Sequence, residues 1–405
     1  MPTSVPFDPS QHDELSLTCG GPWFHLLQRL RLQPDLSNLG TRFALLALCL
    51  SWLPVMALLV FQRIVNGTWD PLFMRTELHL RMLVSLPLLL WGEWLFDHRV
   101  KSVHHQLIGH DLISAQTLTR WLDVLGRLVR VRDSWAPELA LVVMVYGVSV
   151  ASYFGVLPLG VLRWLAPTIH QAGAHWSKAT PAWWWYLLVS QPLFLFVLLR
   201  WLSRWLLLTH MMWALARIFP RIEPLHADRF GGLAFLGEPV VALRLFASAT
   251  SVALMSVWFD ELAISHVQPA VFATDLLAFL ALALLLALLP YALIVRPMVE
   301  TKHEELLKST ALMTRYTRCF RERWLAGGTE RIEASEILGH QDFSGLADLG
   351  TSFSVADDMR VVLPGFEQLR AYLIASFGPF MVIILAYGPS AADLLKDLLT
   401  SLLGG

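Results

Sequence analysis

The chain has 405 residues, 55 % of them hydrophobic and only 16 % charged, against roughly 25 % charged in an ordinary soluble domain. That is the composition of an integral membrane protein. A formal net charge of −1 excludes a nucleic-acid partner held by overall charge and turns attention to how the charges are distributed along the chain.

Residues 1–42 read as a cytoplasmic N-terminal tail with an interfacial helix, of which 1–21 lack the positive n-region and apolar h-region of a signal peptide and read as disordered. Within them, residues 22–32 interleave Trp23, Phe24 and Leu26 with His25, Arg29 and Arg31, the pattern of an interfacial amphipathic helix. Apolar runs of spanning length follow at 43–61, 80–96, 137–157, 183–207, 239–259, 271–295 and 371–387. Pro54, Pro87, Pro192 and Pro290 lie inside these runs, where neighbouring helices must satisfy the carbonyls that proline frees. Trp183, Trp184, Trp185 and Tyr186 stand where an aromatic belt would lie, because four consecutive aromatics cannot share one helix face. Cys19, Cys49 and Cys319 are widely spaced and predict free thiols.

The predicted fold is therefore all-α: a polytopic transmembrane helical bundle of about seven spans with a helical cytoplasmic portion. Residues 43–295 hold six spans with cytoplasmic loops at 97–136 and 208–238, and 371–405 hold the seventh span and an amphipathic tail. Residues 296–370 form a cytoplasmic helical segment, with Val299, Leu306, Met313 and Phe320 at seven-residue spacing and Gly327-Gly328 ending the run. Such a seam suits packing on the protein's own segments. Most of the 31 lysines and arginines fall on one side of the spans. Only Arg63, Arg75, Arg163, Lys178 and Lys396 fall on the other, with Arg81 and Arg244 inside spans. The positive-inside rule then sets the N-terminus in the cytoplasm and the C-terminus outside.

Charges inside spans mark functional positions by default. Matching depths let Arg244 pair with Glu93, Glu238 or Glu138, and Arg81 with Asp275, either to line a path or to lock helices in register. The loop Leu225-His226-Ala227-Asp228-Arg229-Phe230-Gly231-Gly232-Leu233 offers two readings. In one, His226 and Asp228 serve as a metal or acid–base pair; in the other, Asp228 caps a turn that Gly231 and Gly232 allow to be tight. A third polar group, Asp97, His98, His104, His105, His110 and Asp111, puts Asp97, His104 and Asp111 on one helical stripe at seven-residue spacing with His98 and His105 beside it, able to hold a metal or to sense pH, against a plainer solvated face. No cofactor is expected and the metal question stays open. There is no phosphate-binding G-x-x-x-x-G-K-[ST] loop, no H-E-x-x-H, no G-x-S-x-G and no inverted repeat.

Three segments, the loop 225–236, the run Tyr316-x-x-x-Phe320-x-x-x-Trp324, and Gly345-Leu346-Ala347-Asp348-Leu349-x-x-Ser352-Phe353-x-Val355 ending at Met359-Arg360, resemble a family of uncharacterised polytopic bacterial inner-membrane proteins. The resemblance covers the C-terminal half. It implies a bacterial inner-membrane location and supports seven spans, and it carries no activity, substrate or catalytic residue. The chain departs from the family pattern at Ala227, where proline is expected, which implies a looser turn. The leading functional expectation is an oligomeric ion channel or channel-like transporter in the lipid bilayer. A sensor or scaffold with a cytoplasmic protein partner is the alternative, and a membrane-embedded metal-dependent enzyme the third.

Overall fold

A chain whose backbone must satisfy its own polar groups in hydrocarbon has the helix as its main solution, and the apolar runs fold accordingly. The computed structural model describes residues 39–109, 112–113, 115–153, 180–218, 222–265, 269–325 and 340–387, which contain helices and turns and no strand. The predicted N-terminal tail, the interfacial helix at 22–32, Cys19, His110, Asp111, the Gly327-Gly328 stop and the tail beyond Pro389 lie outside the described residues. In chain order the helices are α1 (Leu39–Asn66), α2 (Thr76–Leu80) continuing through a π turn (Arg81–Ser85) into α3 (Leu86–Gly109), α4 (Ala115–Asp133) and α5 (Trp135–Tyr153). Then come α6 (Pro181–Trp185), a second π turn (Tyr186–Ser190), α7 (Gln191–Ile218), α8 (Val240–Ser265), α9 (Ala273–Trp324), α10 (Gln341–Asp357), α11 (Phe366–Phe377) and α12 (Met381–Tyr387).

Among the described residues five helical stretches are long and apolar enough to cross a membrane: 44–66, 181–218, 234–264, 273–324 and 366–386. A sixth arises if α4 and α5, bent by 44° at their junction, act together. The expected span at 80–96 is not among them, because Arg81 and Glu93 interrupt its apolar run and Glu77 and Asp97 flank it. It is nonetheless a central element. The sequence 234–264 is the core of the bundle, with 72 % of its apolar window buried against 22 % for 44–66 and for 366–386. Around α8 pack α2, the first π turn, α3 and α11, while α7 joins α9 to α4 and α5. Gly92 permits one of these close approaches: a Cβ there would lie 2.8 Å from the Trp201 ring of α7 and 3.2 Å from Leu245 Cβ of α8.

The prolines show how the bundle meets its backbone requirement. Proline has no N–H to give the carbonyl four residues earlier, and in four places a side chain from another element donates to that carbonyl instead. Trp185 Nε1 donates to Leu50 O beneath Pro54 (3.1 Å), Tyr146 OH to Leu188 O beneath Pro192 (3.2 Å), Trp205 Nε1 to Leu286 O beneath Pro290 (2.7 Å), and Ser248 Oγ to Ala375 O beneath Pro379 (3.1 Å). Each bond ties two helices together at a point where one of them is weakened. The aromatic run 183–186 divides as its periodicity requires: Trp184 faces outward, Tyr186 is buried, and Trp185 makes the bond to α1.

Outside the bundle α9 continues past Arg296, and α10 returns antiparallel along it. Leu306, Met313 and Phe320 are half-buried in this hairpin while Val299 is exposed, so the heptad seam serves the chain's own packing. Tyr316 OH donates to Asp342 O (3.1 Å), Trp324 Nε1 to Asp342 Oδ2 (3.0 Å), and at the far end Lys302 Nζ donates to Asp357 O (2.6 Å) and Met359 O (2.9 Å). Gly345 is where the helices come closest, since a Cβ there would stand 2.4 Å from the Tyr316 hydroxyl oxygen.

Candidate functional site

Two buried ionic clusters lie along the continuous stretch α2 to α3. The first is built around Arg81, whose side chain is fully buried. Arg81 Nη1 pairs with Glu77 one turn earlier (2.6 Å) and reaches Gln191 Oε1 (3.4 Å), which also accepts from Tyr186 OH (3.2 Å). The guanidinium also lies over the Phe194 ring at 5.6 Å. Asp260, buried near the end of α8, accepts from the backbone N–H of Thr76 (2.9 Å) and Glu77 (3.0 Å), completing the first turn of α2. A guanidinium this deep is tolerated because a carboxylate, an amide oxygen and a ring face share its charge.

The second cluster stands three turns further on. Glu93 contacts Arg204 of α7 closely and lies 3.9 Å from Arg200, with these side chains only 4–12 % exposed. Below it Asp97 pairs with Lys101 (3.0 Å), and Arg99 pairs with Glu238 at the start of α8. By helical rise Arg81 and Glu93 are about 18 Å apart along the axis. Between the two levels the packing is apolar: Leu86 and Leu89 of α3 and Phe194, Leu195 and Trp201 of α7 are all buried.

The expected pairings are therefore corrected. Among the described residues no ion pair joins Arg244 to Glu93, Glu238 or Glu138, or Asp275 to Arg81. Glu93 is occupied by Arg204 and Arg200, Glu238 by Arg99, and Arg81 by its helical neighbour Glu77. Matching depth was the wrong criterion, because helix adjacency decides which charges meet. Arg244 and Asp275 are each half-buried. Glu77, Gln191, Arg204 and Asp260 escaped sequence reasoning as site residues, and Tyr186 was legible only as part of the aromatic run. One signal was legible: Leu83-Val84-Ser85-Leu86-Pro87-Leu88 and Leu188-Val189-Ser190-Gln191-Pro192-Leu193 repeat the pattern Leu-Val-Ser-x-Pro-Leu. Each copy begins inside a five-residue π turn and runs on past its end, and Arg81 and Tyr186, which open the two turns, meet at Gln191. Short π turns recur at functional sites.

The loop before α8 is organised by Asp228. Its Oδ1 accepts from the N–H of Phe230 (2.8 Å) and Gly232 (3.0 Å), and its Oδ2 from Ala234 (3.0 Å). His226 Nδ1 sits 2.9 Å from Oδ1 and 3.2 Å from the Asp228 N–H, so that nitrogen serves one of them at a time, as donor or as acceptor. Partial burial pushes the Asp228 carboxyl upward, but the three backbone N–H groups and His226 outweigh it and hold the carboxyl below the usual aspartate range. Gly231 and Gly232 take positive φ of 66° and 83°. A Cβ on Gly231 would also meet Ile222 Cγ2 at 2.4 Å. The turn is tight despite Ala227, and both carboxylate oxygens are engaged by the loop itself.

This loop joins the end of the singled-out segment 345–360. Arg360 N–H donates to Arg229 O (2.7 Å), Arg229 pairs with Asp358 (3.5 Å), and the Arg360 guanidinium lies over the Phe230 ring at 5.9 Å. Through Lys302 the same corner holds α9. Of the histidine group, His104 is buried and accepts from Trp121 Nε1 of α4 (3.3 Å), His98 stacks on Trp94 at 5.9 Å and His105 is exposed. Among the described residues no three His, Cys, Asp or Glu side chains converge as a metal would need.

Fold and sites together define a polytopic helical membrane protein with charges buried in its bundle. No family model, no curated protein and no solved structure matches the chain.

Proposed function

We propose that the protein is a channel-like transporter for a small charged solute, working along α2, α3 and α7 within one subunit. The observation that supports this is the pair of buried ionic clusters, Glu77–Arg81 with Gln191 and Glu93–Arg204 with Arg200, separated by an apolar layer. Charges kept at that depth at a desolvation cost of several kcal/mol per ion are accounted for if they exchange partners with a passing ion, each cluster acting as a gate at one level. On this reading α2–α3 crosses as a seventh span, the N-terminus and the α9–α10 hairpin are cytoplasmic, and the membrane is a bacterial inner membrane. Self-association is compatible with the path but not required by it. The test is flux across liposomes containing the purified chain, under imposed proton, potassium, sodium and chloride gradients. Wild type is expected to exceed empty liposomes, with at least a tenfold loss in Arg81→Gln.

A second reading, a sensor or scaffold, has its own support. The 52-residue α9 is continuous from an apolar span into the hairpin with α10, about 78 Å by helical rise against a hydrocarbon core of roughly 30 Å. If that lever serves a cytoplasmic protein partner, removing residues 340–360 abolishes function while Arg81→Gln leaves it intact. A metal-dependent enzyme at His226 and Asp228 has the least support, because the carboxylate is already saturated by its own loop.

A further inference from the structure

Beside the second buried cluster, where α4 and α5 bend past α7, the structure holds a cavity of about 680 Å³, inside the roughly 300–1,000 Å³ range of ligand cavities. One wall is basic, with Arg127 from α4 and Arg200, Arg204 and His210 from α7; Glu138 is the carboxylate in the lining. The rest is apolar, including Leu128, Leu141 and Leu207. The positive charge is only partly spent. Arg200 and Arg204 share the carboxylate of Glu93 as their ion-pair partner, with Asp97 also acting on Arg204, while the Arg127 guanidine has the Asp123 backbone carbonyl at 3.3 Å and, among the described residues, no carboxylate partner. At one end Trp213 packs against His210, with the Arg217 guanidinium 3.8 Å from its ring centre.

We propose that this cavity binds an acidic phospholipid, with Arg127 and Arg200 holding its phosphate and the acyl chains leaving past Leu128, Leu141 and Leu207. Guanidinium groups match phosphate oxygens in a fork geometry, and basic pockets between membrane helices suit acidic headgroups. A soluble anion would satisfy the arginines and leave the apolar lining without a partner; a zwitterionic lipid would bring a quaternary ammonium against a wall already carrying excess positive charge. The assignment stands independently of whether the chain transports anything.

The test is native mass spectrometry of the full-length chain, purified in detergent, stripped of lipid and titrated separately with phosphatidylglycerol, with phosphatidylcholine of the same chain lengths, and with inorganic phosphate. Phosphatidylglycerol is expected to bind at least fivefold more tightly than phosphatidylcholine. Arg127→Gln should cut that affinity about fivefold, the equivalent of roughly 1 kcal/mol for one basic side chain at a lipid phosphate. Arg127→Lys should retain most of it, and Leu141→Trp, which fills the apolar end, should reduce it. Equal binding of the two lipids overturns the proposal, as do Arg127→Gln and Leu141→Trp variants that both bind as wild type. Displacement of the lipid by millimolar inorganic phosphate also overturns it, by making this a soluble-anion site. Should Arg127→Gln lose its helical circular dichroism, Arg127→Lys and Leu141→Trp decide the matter.

Discussion

Asp228 does with one carboxylate what a longer loop would need several side chains to do, accepting three backbone N–H groups over the six residues that lead into α8. Asp228→Ala should cost about 2 kcal/mol, the scale of hydrogen bonds to a charged acceptor, and appear as a lowered Tm in detergent. Because the folded-state carboxyl is held below its ordinary value of 3.8, its contribution is fully present above about pH 4 and disappears as the pH falls through the lower folded-state value. The Tm gap between wild type and Asp228→Ala should therefore narrow toward acid pH. Trp205 carries a comparable duty. Trp205→Phe keeps the ring but leaves the Leu286 carbonyl beneath Pro290 without its donor, at about 1–2 kcal/mol, again read as Tm. In the second cluster Glu93→Gln strands Arg204 without its counter-charge, so a loss of roughly 3–5 kcal/mol is expected. Adding Arg204→Met should recover most of it, and a double-mutant cycle with no coupling would contradict the pairing.

At the level of elements, periodicity and apolar length located nearly every helix, and the rule that freed carbonyls must find donors anticipated the role of Pro54, Pro192 and Pro290. Which donors would serve them was not legible, since Trp185, Tyr146 and Trp205 lie far off in sequence and only packing brings them in. The same reason explains the failed ion pairs: a depth estimate for Arg244 contains nothing about which helix face it takes or who stands beside it. The repeated Leu-Val-Ser-x-Pro-Leu was readable, but as a short parallel repeat it fell outside a search for inverted halves. That α9 packs on the protein's own segments was legible from Leu306, Met313 and Phe320, whereas its partner α10 and their closest approach at Gly345 were not. Gly345→Ala would force the Tyr316 hydroxyl away and break its bond to Asp342. The hairpin should loosen by about 1–3 kcal/mol, visible as faster amide exchange in α10 with the bundle unchanged.

For the whole molecule, composition alone set the class, and the buried clusters are the feature on which the proposed function rests. Orientation remains an expectation drawn from the lysine and arginine asymmetry. It predicts that cysteines introduced at Trp69 and at His303, both outside the packed core, react with a membrane-impermeant maleimide from opposite sides in sealed vesicles. The function rests on the clusters, and flux in proteoliposomes tests it most directly. The account predicts ion movement well above that of empty liposomes, reduced at least tenfold by Glu93→Gln in preparations whose size-exclusion profile matches wild type. Wild-type vesicles that pass no small ion under any gradient or imposed potential would contradict it and leave the α9–α10 lever as the working part of the protein.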